Sequence, residues 1–82
     1  MPKPNTREAV INDLIESLKA ERLRQNLSFN SLAAKAGVDR TMLSRMEKGE
    51  RTPTIDVLLR IAEALGINLG EFLLRAIKAN SP

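Results

Sequence analysis

The stretch from Ser28 to Lys48, SFNSLAAKAGVDRTMLSRMEK, leaves the chain few ways to fold. Two runs with helical spacing are separated only by Gly37, Val38 and Asp39, so two short helices must turn sharply against one another. Ser28 is a suitable N-cap, because its hydroxyl accepts from an otherwise orphan N–H of the first turn. Leu32, Ala33 and Ala36 then form one apolar stripe, whose alanines let another helix cross at close range. Gly37 takes a left-handed conformation without a Cβ clash, Val38 offers an apolar anchor, and Asp39 caps the next helix with a carboxylate suited to its dipole.

From Arg40 onward the third helix divides into two faces. Leu43 and Met46 lie on one side, while Arg40, Thr41, Ser44, Arg45 and Lys48 lie on the other. Surface helices favour polar residues, so a solvated face is one reading. The other is a helix seated in the major groove of duplex DNA, where Arg, Ser and Thr near its N-terminus and one to two turns on reach base edges. The preceding helix and the glycine turn favour the groove.

At 82 residues and 43% hydrophobic content the chain has room for one domain with a small core, of the kind that often leans on a partner chain. Residues 1–4 are expected to be disordered, 5–79 to form the domain, and 80–82 to trail off disordered. Two phenylalanines, Phe29 and Phe72, with no Tyr or Trp, exclude the aromatic platforms that stack single strands and disfavour a β-sandwich. A net charge of +3 permits an anionic partner without demanding one. Between Ser28 and Pro53, Lys35, Arg40, Arg45, Lys48 and Arg51 face Asp39, Glu47 and Glu50, a modest basic excess. With no cysteine and no histidine, disulfides, the commonest metal ligands and the commonest general base are missing, so neither a metal, a cofactor nor catalysis is expected. No apolar run approaches a membrane span and MPKPNTR lacks a signal-peptide core; a soluble, cytoplasmic protein is expected.

The flanking segments read as three further helices. Asn5 and Glu8 match a capping box, and Val10, Ile11, Leu14, Ile15 and Leu18 repeat at helical spacing toward about Arg24. Asn26 suits a left-handed end to that helix, with Leu27 folding back. After Gly49, Pro53 disfavours helix at Thr52 and Thr54 caps a fourth helix, with Ile55, Leu58, Leu59, Ala62 and Leu65 as its expected buried stripe. Val57, Ile61 and Ala64 widen that surface, and Gly66 ends the helix. Asn68 and Glu71 form a second capping box, Ile67 and Phe72 a hydrophobic staple, and Leu69, Phe72, Leu73, Ala76 and Ile77 a last stripe. Part of that stripe faces either a second subunit or the protein's own first helix. Glu47 sits beside the inward side of the third helix and wants a partner; spacing leaves Arg22 and Arg51 as alternatives.

The run SFNSLAAKAGVDRTMLSRMEKGERTPT followed by IAEALGINLGEFL resembles the Cro and phage-repressor, or XRE, family of helix-turn-helix proteins, over roughly Leu14 to Leu74. The resemblance implies an all-α, five-helix lambda-repressor-like DNA-binding domain. It implies base reading by Arg40, Thr41, Ser44 and Arg45, phosphate contacts from Ser28, Lys48 and Arg51, and Arg22 as the partner of Glu47. Family members commonly carry glutamine where this chain has Phe29, which loses a phosphate contact and packs on the sugar-phosphate edge or inward; Asn30 is a substitute. The expected function is a transcriptional regulator, a repressor, binding double-stranded DNA at a palindromic operator as a homodimer through Leu69, Phe72, Leu73 and Ile77. An antitoxin-type module with a protein partner such as a toxin, or an architectural bundle, are the rival readings. No room is left for a small-molecule effector domain, so no effector is expected.

Overall fold

The computed structural model describes residues 6–81. The expected Asn5 cap, and the expectation of disorder at residues 1–4 and at Pro82, lie outside them. Every regular element among the described residues is a helix: α1 (Thr6–Arg24), α2 (Phe29–Ala36), α3 (Arg40–Glu47), α4 (Ile55–Leu65) and α5 (Leu69–Ala79). This is the five-helix, all-α class anticipated from the sequence.

Each boundary has a local cause. Ser28, Asp39, Thr54 and Asn68 cap α2 to α5 by accepting from the backbone N–H three residues on. Asn26, Gly37, Gly49 and Gly66 all take positive φ, and the residue after each turns its N–H back to a carbonyl five residues earlier. One left-handed residue thereby ends each of the first four helices with its last carbonyls satisfied.

Leu14, Ile15 and Leu18 of α1, Leu32 and Ala33 of α2, Leu43 and Met46 of α3, and Ile61 and Leu65 of α4 close the core. α1 packs mainly along α5, while α2 lies between α3 and α4. Two expectations change. α4 is turned so that Ile61, Ala62, Ala64 and Leu65 are buried and Val57 and Leu58 half-buried, while Ile55 and Leu59 stand 64% and 53% exposed. The arc centred on Ile61 meets α2, α1 and α5, and Ile55 and Leu59 occupy the opposite side. In α5, Leu69 is buried in the protein's own core, so this residue, expected at a dimer interface, is spent within the monomer. The outward apolar surface of α5 is instead Leu74 and Ile77, with Phe72 and Leu73 half-buried. Beyond α5, Asn80 donates to the Asp13 carboxylate at 2.6 Å and to the Ala76 carbonyl at 2.8 Å, and Ser81 to that of Ile77 at 2.9 Å.

Candidate nucleic-acid interface

The turn between α2 and α3 is held at both ends. Gly37, at φ +69°, returns its N–H to the Ala33 carbonyl, and Val38 donates to the same oxygen at 3.0 Å. Asp39 then accepts from the Met42 N–H at 3.3 Å, which starts α3 immediately. Leu43 and Met46, at 0% and 1% exposure, fix which side of α3 points inward.

The far end of α3 is fastened by Arg22. Its Nε donates to Glu47 Oε2 at 2.8 Å and its Nη2 to Oε1 at 2.9 Å, a two-pronged buried pair. Nη1 donates to the Leu27 carbonyl at 2.7 Å, and the guanidinium lies 4.4 Å from the centroid of the Phe29 ring. One side chain of α1 therefore holds the α1–α2 turn, the first residue of α2 and the last residue of α3. Phe29 points inward, half-buried against the core, so of its two expected placements the inward one is found. The Leu27 bond and the Phe29 stack escape sequence reasoning, because both depend on where the α1–α2 turn brings its carbonyl and ring. Gln25 is a third case: its side chain caps α4 by donating to the Leu65 carbonyl at 2.8 Å, forty residues away.

With its inner side so held, α3 turns Arg40, Thr41 and Arg45 fully outward, and Ser44 half-buried between them. Lys48, whose N–H closes the helix on the Ser44 carbonyl, and Arg51 in the following loop are exposed, as are Ser28 and Asn30 at the start of α2. The Ser28 hydroxyl is already engaged with the Ser31 N–H at 3.1 Å and its Oγ at 3.0 Å. Among the described residues no acidic side chain pairs with the outward arginines, and both Glu47 oxygens are taken by Arg22.

The arginines divide sharply by partner. Arg24 binds Glu21, Arg60 binds Asp56 at 2.9 Å, Arg75 lies 5.3 Å from the Phe72 ring centroid, Arg22 is locked as above, and Arg7 is also engaged. Among the described residues, those without an intramolecular partner are Arg40, Arg45 and Arg51, all on α3 or the loop that leaves it. A guanidinium held out from a helix without a counterion is an anion-seeking group. No group of three or more potential metal ligands occurs among the described residues, and none of their helices is long and apolar enough to cross a membrane.

Known proteins are similar to this chain in sequence and in fold. The helix-turn-helix family profile matches residues 18–72, a span that contains α2, the turn, α3 and α4 whole. The chain is 36% identical over 59 residues to an HTH-type transcriptional regulator of Mycobacterium tuberculosis, matching 72% of this chain but only 42% of that protein. It is 34% identical over 62 residues to the control protein C.SmaI of Serratia marcescens, covering 76% of this chain and 74% of that one. Among solved structures, a Tyr-to-Phe mutant of the restriction-modification controller protein C.Esp1396I superposes with a TM-score of 0.75 at 28% identity, over 85% of this chain and 89% of the other.

Proposed function

The chain belongs to the XRE-type helix-turn-helix family of transcriptional regulators, and from that premise we propose that it is a repressor binding a palindromic operator in duplex DNA as a homodimer. The observation that carries the reading is the set of uncommitted arginines on the outward face of α3 and the loop beyond it. Arg40, Thr41, Ser44 and Arg45 read base edges, while Lys48, Arg51, Asn30 and the α2 start at Ser28 hold phosphates. Two such modules related by a two-fold axis add their contacts on half-sites about 34 Å apart. The exposed apolar side chains Leu74 and Ile77 of α5, with half-buried Phe72 and Leu73 beside them, supply the dimer surface.

The match to the control protein C.SmaI and to the restriction-modification controller protein C.Esp1396I over most of their length, against less than half of the mycobacterial regulator, favours a controller of that small type. The exposed Ile55, Leu59, Leu74 and Ile77 also suit a protein partner, as an antitoxin-type module requires.

Binding to duplexes recovered from a random library, measured against salt, tests the assignment. Arg45→Ala is expected to cost about 1–3 kcal/mol on the recovered site and little on random DNA, whereas Lys48→Ala lowers both alike and reduces the salt slope by about 1. Equal losses on both DNAs from both substitutions would refute the division between readers and grippers.

A further inference from the structure

We propose that Phe29 is a positioning residue for DNA binding: its ring, through Arg22, holds the two groups of phosphate contacts at a fixed separation. The inference rests on the gripping role proposed above for Ser28, Asn30, Lys48 and Arg51, and adds what keeps them in register. Those four residues lie at two places. Ser28 and Asn30 flank the first residue of α2, and Lys48 and Arg51 follow the last residue of α3. The turn at Gly37 joins the other ends of the two helices, so the gripping ends are the two that it does not tie. Each helix has eight residues and is about 12 Å long, so a swing of about 5° at the turn displaces its far end by about 1 Å.

One guanidinium ties these far ends together. Arg22, 7% exposed, donates twice to the carboxylate of Glu47, the last residue of α3, and once to the Leu27 carbonyl in the α1–α2 turn. The N–H groups of a guanidinium lie in its plane, so these three bonds leave its faces to other neighbours. The ring of Phe29, the first residue of α2, takes one face with its centroid 4.4 Å away. The in-plane bonds thus reach α3 and the turn, and the stack reaches α2. The negative face of a ring attracts the cation, which an aliphatic side chain of similar bulk does not do, and it keeps water from competing with Glu47 for the group. Phe29 itself is half-buried against the core, so it acts on DNA only through the residues it aligns. Its loss therefore weakens the grip on every sequence and leaves the base preference of α3 in place.

Binding of the full chain to the recovered site and to random duplexes, over a salt series and at a temperature where each variant is folded by circular dichroism, decides the matter. Phe29→Leu is expected to lower affinity on both DNAs alike, about three- to ten-fold, and to reduce the salt slope by about 1, and Phe29→Tyr to restore both. Replacing Phe29 with pentafluorophenylalanine keeps the shape of the ring and reverses the charge of its face. That variant is expected to behave as Phe29→Leu does, and it carries the test if the leucine variant folds poorly. Since Phe29 acts in part by aligning Lys48, Phe29→Leu combined with Lys48→Ala should lower the slope by less than the sum of the two. Wild-type affinity and slope in the pentafluoro variant, a loss confined to the recovered site, or additive losses with Lys48→Ala overturn the inference while leaving the phosphate contacts intact. A wild-type chain whose affinity does not fall with salt overturns the gripping reading itself, and this inference with it.

Discussion

Arg22 shows how much of the interface rests on one residue that never faces it. Burial of a charged pair stabilises only when each partner's polar atoms are satisfied, and here the guanidinium uses Nε, Nη1 and Nη2 on Glu47 and the Leu27 carbonyl while a phenyl ring covers its face. Removing one member strands the other in the core. Arg22→Ala or Glu47→Ala is expected to destabilise the protein by about 3–5 kcal/mol in urea unfolding, and the double substitution by less than the sum. Glu21, on the same helix, behaves differently because it is paired at the surface. Hydrogen bonds from Arg24 and then Gln25 pull its carboxyl from the ordinary 4.5 to about 2. A depressed folded-state value means that this contribution to stability is present above pH 4.5 and is lost as the pH falls toward 2. Carboxyl carbon shifts followed by NMR should place the Glu21 midpoint well below the ordinary 4.5. The sequence made Arg22 a candidate for Glu47 through spacing and resemblance, but its two further contacts needed the turn at Asn26 to be built first.

Helix ends were the most legible elements, because caps and left-handed residues act over three to five positions and their chemistry is written locally. Ser28, Asn26, Gly37, Asp39, Thr54, Gly66 and Asn68 all do what their residue types suggest. The buried face of α4 is not legible in the same way. Its apolar residues surround most of the helix, so periodicity does not choose between the arc through Ile55 and Leu59 and the arc through Ile61; the positions of α2 and α5 do. Gly37 yields the sharpest expectation at this scale. A side chain there must adopt φ +69°, and its Cβ would stand 3.4 Å from the Arg60 guanidinium. Gly37→Ala is therefore expected to cost about 1–2 kcal/mol of stability by thermal or urea unfolding. It should also weaken operator binding beyond that loss, since the turn sets the angle between α2 and α3.

At the scale of the molecule, one side of the bundle carries unpaired cations and another carries unpaired apolar side chains. Ile55 and Leu59 on α4, and Leu74 and Ile77 on α5, leave more hydrocarbon in water than so small a core requires. Replacing Leu74 with Glu should leave the monomer folded, because half of this side chain is exposed, yet shift sedimentation at micromolar concentration toward the monomer and weaken binding to a two-half-site duplex. A wild type that stays monomeric on its operator would count against the homodimer. This surface is only partly legible in the sequence: α5 reads as too apolar for one bundle, but a stripe alone does not reveal that the neighbouring helices claim Leu69 and leave Leu74 and Ile77 outside. The clamp at Glu47 has a last implication, for how such a protein diversifies. Since the fastening lies on the side of α3 away from any groove, positions 40, 41 and 45 are open to exchange with little damage to folding. New operator preferences are thus reachable by single steps through folded intermediates, and descendants of one scaffold are free to part company in the genes they govern.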